Sequence, residues 1–244
     1  DQRLVRVVGD ERARVMVDRI GDVARGCAVQ PSAVVRFAQR FGYPGFSALQ
    51  AVFRDDFTQR AAAPATYRQR IRQLVSAGRR PLTPGAVARE FVAASTSGLE
   101  ELARDFDDAA FAAAVALLAR AQHIYVVGVR RSYAVAAYMT YALQHIDKRV
   151  QLIDGVGGMV HEQVRSIGRD DVMVAISFTP YGKETLACVR HAEKRGAKCV
   201  VLTDSRLAPL ARGADALLVV REGSAFAFRS LTNALCLAQA LFVA

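Results

Sequence analysis

HIYVVGVRRSYAVAAYMTYALQHIDKRVQLID, residues 123–154, reads as strand, turn, helix and strand. HIYVVGV (123–129) is a short apolar run without polar alternation, the pattern of a strand buried on both faces. Apolar residues then recur at helical spacing over 131–147, and VQLID (150–154) is a second strand-like run. A strand, a helix and another buried strand form the repeating unit of a parallel sheet. Outward from this unit lie VMVAISF (172–178), KCVVLTD (198–204) and ALLVV (216–220). Helical patterns separate them at about 157–166, at 182–196 and, briefly, near 206–213, and a mostly apolar helix at 229–243 closes the chain. Residues 107–244 are therefore expected to form an α/β domain, a five-stranded parallel sheet flanked by helices.

In such a sheet ligands bind beyond the carboxyl ends of the strands, where strand order reverses. The loops to inspect follow the first and third strands. The first, Gly128 to Ser132, opens a helix, whose free N–H groups and the Ser132 hydroxyl suit an anion. The other, Ile176 to Thr185, offers Ser177, Thr179 and a second helix start. Arg130 and Arg131 add guanidinium groups able to grip carboxylate or phosphate in a bidentate manner. The alternative reading makes both arginines solvated residues or members of a subunit contact. Arg229, in FRS before the last helix, is a candidate to close the site from a partner subunit.

His161-Glu162, after the Gly-rich DGVGGM stretch, invites reading as an acid/base pair. Adjacent residues on a helix point about 100° apart, so the two do not converge on one substrate carbon. His123, His145 and His191 need no function. No catalytic residue, metal or redox cofactor is implied.

Toward the N-terminus the texture is helical throughout. In IGDVARGCAVQPSAVVRFAQRFGYPGF (20–46), Ile20, Val23, Ala24 and Cys27 recur at helical spacing. Ala28-Val29 breaks the run, and Pro31 opens a second helix carried by Val34, Val35, Phe37 and Ala38. Its polar side would present Gln30, Ser32, Ala33, Arg36 and Arg40. A short helix, a turn and a helix starting with small polar and Arg side chains is what reading a DNA major groove requires. Two packed helices with a solvated face remain the plain alternative.

Charge supports the first reading. The chain of 244 residues carries +10, and residues 1–80 hold 15 Arg against 7 acidic residues. Basic excess concentrated beside a helix-turn-helix suits a phosphate backbone. The four cysteines, Cys27, Cys188, Cys199 and Cys236, show no C-x-x-C spacing, so reduced thiols are expected. No run reaches the roughly 18 apolar residues of a membrane helix, no signal peptide is evident, and a cytoplasmic location is expected. The chain begins with Asp rather than Met, so the helix-turn-helix domain is expected to be incomplete at its N-terminus.

VVRFAQRFGYPGF resembles the end of the helix-turn-helix of RpiR-type bacterial transcriptional regulators, with Gly42-Tyr43 and Gly45-Phe46 in the turn that follows a V-V-R-F core. That family usually caps its recognition helix with Ser or Thr, and Gln30 stands there here. The two loops of the α/β half resemble those of the sugar isomerase (SIS) domain, the usual partner of this helix-turn-helix. SIS domains bind phosphosugars with a G-x-G-x-S turn and an S-x-S-G-x-T-x-E loop. Gly128 and Ser132 match the first, with Arg130 in place of its second glycine. Ser177 and Glu184 match the second, Thr179 replaces a serine, Pro180 the glycine and Gly182 the threonine.

The resemblance implies a helix-turn-helix DNA-binding domain over 1–57, a helical linker over 58–106 and an SIS-like effector-binding and dimerisation domain over 107–244. It implies a regulator that binds double-stranded operator DNA and a sugar-derived effector, anionic or polyhydroxylated, as a homodimer or higher homo-oligomer. Two alternatives stay open: a sugar-phosphate isomerase, or a DNA-binding protein whose SIS-like half only dimerises. The closing helix, apolar on nearly every face, is expected to be covered partly by another subunit.

Overall fold

The computed structural model describes residues 19–40, 42–51, 83–226 and 228–244, and the chain divides into two compact units, 1–73 and 74–244. Residues 1–18 and 52–57 of the expected helix-turn-helix domain and 58–82 of the expected helical linker lie outside the described residues.

In the first unit, α1 spans Ile20–Gly26 and α2 spans Pro31–Arg40, and 46–51 is helical again. Val23, Ala24, Cys27, Val34 and Ala38 are buried, on the faces the spacing marked, and Phe46 and Leu49 are buried as well. Both helices end in the same hydrogen-bonded stop. Ala28 N–H donates to Arg25 O and Val29 N–H to Ala24 O, while Gly42 N–H donates to Gln39 O and Tyr43 N–H to Ala38 O. This closure needs a left-handed residue, which glycine supplies without strain. Gly42 fills the role at φ 82°, whereas α1 ends on a left-handed Ala28 at φ 53°.

In the second unit, α3 (Pro84–Arg104) and α4 (Asp108–Arg120) precede the sheet. Thr83 caps α3 by accepting from Ala86 N–H, and Asp107 caps α4 by accepting from Ala110 N–H. The sequence pattern does not single out α4, because alanine-rich DAAFAAAVALLAR has little contrast between its faces. There follow β1 (His123–Gly128), α5 (Ser132–Leu143), β2 (Arg149–Ile153), α6 (Val160–Val164), β3 (Val172–Ile176), α7 (Lys183–Lys194), β4 (Lys198–Thr203) and β5 (Ala216–Val219). The sheet is parallel, ordered β2-β1-β3-β4-β5.

Two cores flank it. Ile124, Val126, Val174, Ile176, Val200 and Leu202 face α4, α5 and the last helix, and Tyr125, Val127, Met173, Ala175, Cys199 and Val201 face α6 and α7. Each such aliphatic side chain stabilises the fold by about 1.5–3 kcal/mol when taken from water.

Two expectations change. The helix near 206–213 shrinks to one 3₁₀ turn, Ala211–Gly213. The closing helix, α8, starts at Thr232, because β6 (Ser224–Ala225) and β7 (Phe228–Arg229) pair antiparallel just before it. Ala234, Leu237, Ala238 and Leu241 of α8 are buried, and α8 packs on α5, α3 and α4. Much of its apolar surface is thus covered by this chain itself. Among the described residues no helix is long and apolar enough to cross a membrane.

Candidate functional site at the carboxyl end of the sheet

With strand order 2-1-3-4-5, the chain reverses direction across the sheet between β1 and β3. Gly128, the last residue of β1, is in register with Ile176, the last of β3, so the two expected loops leave the sheet side by side. The fold thus sets the two loops that the sequence singled out next to each other.

Gly128 sits at the start of the first loop for a packing reason. A Cβ there would meet Ser132 O at 2.7 Å and Ala136 Cβ at 3.1 Å, so α5 closes directly onto the strand end. Ser132 is buried at the first turn of α5 and donates its N–H to Val129 O at 3.2 Å. The adjacent arginines diverge. Arg130 takes a left-handed backbone, φ 55°, and is exposed. Arg131 turns inward, its guanidinium carbon 5.1 Å from the Phe178 ring centroid and its Nη1 donating to Ser230 O at 3.3 Å.

In the second loop, Ser177 is buried and its Oγ accepts from Gly182 N–H at 3.1 Å, which ties the loop to the start of α7. Gly182 is tightly enclosed, since a Cβ there would lie 2.2 Å from Val129 Cγ2. Glu184 is exposed in the first turn of α7. Thr185 Oγ1 lies 3.3 Å from the point a residue-182 Cβ would occupy, and finds no hydrogen-bond partner among the described residues. Thr203 Oγ1, at the end of β4, is likewise buried and unpartnered among them. Burying an unpaired hydroxyl is costly, and such atoms mark places where ligand or water completes the bonding.

Asp204, the residue after β4, organises the crest. Its carboxylate accepts from Thr179 N–H at 3.0 Å, from the Thr179 hydroxyl at 3.4 Å and from the Tyr181 hydroxyl at 3.0 Å. Arg229 of β7 completes the group, with Nη1 donating to Asp204 Oδ2 at 3.1 Å and to Thr179 O at 3.1 Å. The Asp204 side chain is 7% exposed and that of Arg229 20%, so the pair is largely withdrawn from water. Arg229 therefore reaches the site from its own chain, where the sequence reading looked to a partner subunit.

Glu222 forms the outer support. Its carboxylate accepts from Asn233 and Ala234 N–H groups at 3.1 and 2.8 Å, capping α8. Burial raises its pKa above the usual carboxylate range, opposed by those two hydrogen bonds and by the Arg131 charge. Burial also pushes the Cys188 thiol to about 11 and the Cys199 thiol to about 12, so neither suits a nucleophilic role. His161 and His191 pair edge to face with their ring centroids 5.8 Å apart. Among the described residues no cluster of His, Cys, Asp or Glu is placed to hold a metal.

The sequence reading missed Asp204, Tyr181, Phe178, Glu222 and Ser230. Only Asp204 had a readable signal, as an aspartate ending an apolar strand at the carboxyl edge. The others depend on side chains folding back across the loops.

On the helix pair, Gln30, Ser32, Arg36 and Arg40 are exposed and Ala33 is partly so, on the side of α2 opposite buried Val34 and Ala38.

The model for the SIS domain matches residues 117–244. Among solved structures, the sugar isomerase domain of an RpiR transcription factor from Sphaerobacter thermophilus is 26% identical, covering 67% of this chain and 89% of that one, with TM-score 0.59. The Vibrio vulnificus NanR protein complexed with ManNAc-6P is 22% identical, covering 99% of this chain and 84% of that one, with TM-score 0.59. The E. coli CFT073 protein c3406 is 20% identical, covering 64% of this chain and 86% of that one, with TM-score 0.54. At these identities the last two likenesses concern the fold alone.

Proposed function

Since the chain belongs to the SIS domain family, we propose that it is a cytoplasmic transcriptional regulator, not an enzyme. Its N-terminal helix pair binds double-stranded operator DNA, and the carboxyl crest of its sheet senses a sugar-derived metabolite. The observation that carries this reading is the joining of the two features in one chain. An outward row of Gln30, Ser32, Ala33, Arg36 and Arg40 accompanies a crest bearing Gly128, Arg130, Arg131, Ser132, Ser177, Thr179, Glu184 and Arg229. The likeness to an RpiR transcription factor and, over 99% of the chain, to NanR supports the combination.

The crest suits a polyhydroxylated ligand carrying a modest anionic group. Asp204, Thr179 and Tyr181 offer acceptors and hydroxyls, Arg130 an exposed cation, and Thr185 an unpartnered hydroxyl at a helix start. Isomerase chemistry has less support, because the likeness at 26% identity is to the sugar isomerase domain of a transcription factor. A homodimer fits this role, since two recognition helices then meet a two-fold operator. Tyr133 (43% exposed) and Tyr141 (62%) on α5 offer it an apolar contact face.

The test pairs two measurements. Thermal shift against hexose phosphates, pentose phosphates, polyols and sugar acids is expected to reveal a stabilising ligand. Selection of bound duplexes from a random pool is expected to yield an inverted repeat. Turnover of a sugar phosphate together with no duplex selected would overturn the proposal in favour of an isomerase.

A further inference from the structure

We propose that the strap Arg229–Thr232, from the end of β7 to the start of α8, mechanically couples the crest to helix α3, with Ser230 as the crossing point; this rests on the regulatory reading above. On the crest side, Arg229 holds Asp204 and the Thr179 carbonyl, and the Ser230 carbonyl accepts from Arg131 at 3.3 Å. Both loops of the candidate site thus pull on two consecutive strap residues.

On the other side the same strap meets α3. Ser230 Oγ lies 2.5 Å from Thr232 Oγ1, and the Ser95 hydroxyl of α3 lies 3.5 Å from the first and 3.4 Å from the second. Ser230 N–H donates to Gly223 O at 2.9 Å, and Gly223 itself is pressed on α3, where a Cβ would meet Ala94 O at 2.1 Å. One turn further along, Asn233 Nδ2 donates to Gly98 O at 2.7 Å and to Arg221 O at 2.6 Å. A Cβ on Gly98 would meet Gly223 N at 2.9 Å. Two glycines thus bring backbone against backbone with no side chain between to absorb a displacement, and close-packed contacts of this kind transmit strain.

Helix α3 is the first described element of the second unit. A ligand anion competing with Asp204 for Arg229, or with the Ser230 carbonyl for Arg131, changes the strap's bonding on one side and so the seat of α3 on the other. Coupling requires that ligand and α3 bias one shared element, and the strap supplies it.

The experiment uses the full chain with neither DNA nor ligand, and reads amide hydrogen exchange by mass spectrometry. Asp204→Asn weakens the crest hold on Arg229 without touching α3. It is expected to speed exchange about threefold or more in residues 91–99 of α3, with α4 unchanged. Unchanged exchange in 91–99 beside a loosened 177–182 loop overturns the coupling. If Asp204→Asn loosens α4 as well, Ser95→Ala decides from the far side. Faster exchange at 229–232 then supports the strap, and unchanged exchange there overturns it. Failure here leaves the regulatory reading standing, and sugar-phosphate turnover with no duplex selected would sink that reading without altering the exchange result.

Discussion

Arg229 Nη1 lies 3.1 Å from Asp204 Oδ2 although the two residues sit on different structural elements, and the same nitrogen also holds the Thr179 carbonyl. Removing one member of a largely buried pair leaves the other charge without its counter-ion. Arg229→Ala is therefore expected to lower the stability of the α/β unit by about 3–5 kcal/mol in urea unfolding. Asp204→Asn, which still offers one acceptor oxygen, is expected to cost less. Equal costs would show that the geometry of the pair is not what holds the crest.

Gly182 and Val129 interlock. With Val129 Cγ2 at 2.2 Å from the position of a Cβ, Gly182→Ala is expected to destabilise by about 1–3 kcal/mol through overpacking. Val129→Ala opens that space, so the double variant is expected to recover part of the loss. A double-mutant cycle by urea unfolding checks this, and purely additive costs would contradict it.

Ala28 ends α1 at φ 53°, a conformation that disfavours a Cβ. Ala28→Gly is expected to stabilise the first unit by about 1 kcal/mol, read as a higher melting temperature. An unchanged or lower value would mean the strain at this turn is relieved elsewhere.

Arg36 and Arg40 are exposed on α2. If each neutralises one phosphate, Arg36→Ala and Arg40→Ala should weaken binding to all duplexes and reduce the salt slope by about one unit each. Fluorescence anisotropy at several salt concentrations reads the slope. Ser32→Ala or Gln30→Ala should instead change the preference at single base pairs, by roughly 1–3 kcal/mol. Arginine variants that bind like the parent chain would remove α2 from the interface.

Glu222 gives a pH signature with a definite sign. Its pKa is raised in the fold, chiefly by burial, so the folded state binds its proton more tightly than the unfolded chain does. The stability this contributes is full below the ordinary carboxylate range and is lost as pH rises through the raised value. Glu222→Gln removes that titration. The stability difference between parent and variant, measured by urea unfolding from pH 4 upward, should therefore shift in favour of the variant across this window. A difference that stays flat with pH would show that the two α8 hydrogen bonds offset burial completely.

The sequence alone determined the elements whose signal is local. Apolar runs at 123–129, 150–154, 172–178, 198–204 and 216–220 became the five parallel strands, and the three central ones, β1, β3 and β4, show no polar alternation because both their faces are buried. Pro31 and the spacing of Val34 and Ala38 marked α2, because a helix start and one buried stripe are properties of a few consecutive residues. The sequence also pointed to the loops after β1 and β3, which the strand order sets side by side. Only the tertiary structure decided how the site is wired. Arg130 and Arg131 are neighbours in sequence yet face water and Phe178 respectively, while Asp204 and Arg229 are 25 residues apart and share one bond. Which hydroxyl is spent inside the protein and which stays unpartnered depends on contacts between distant segments, and those are set when the loops pack together.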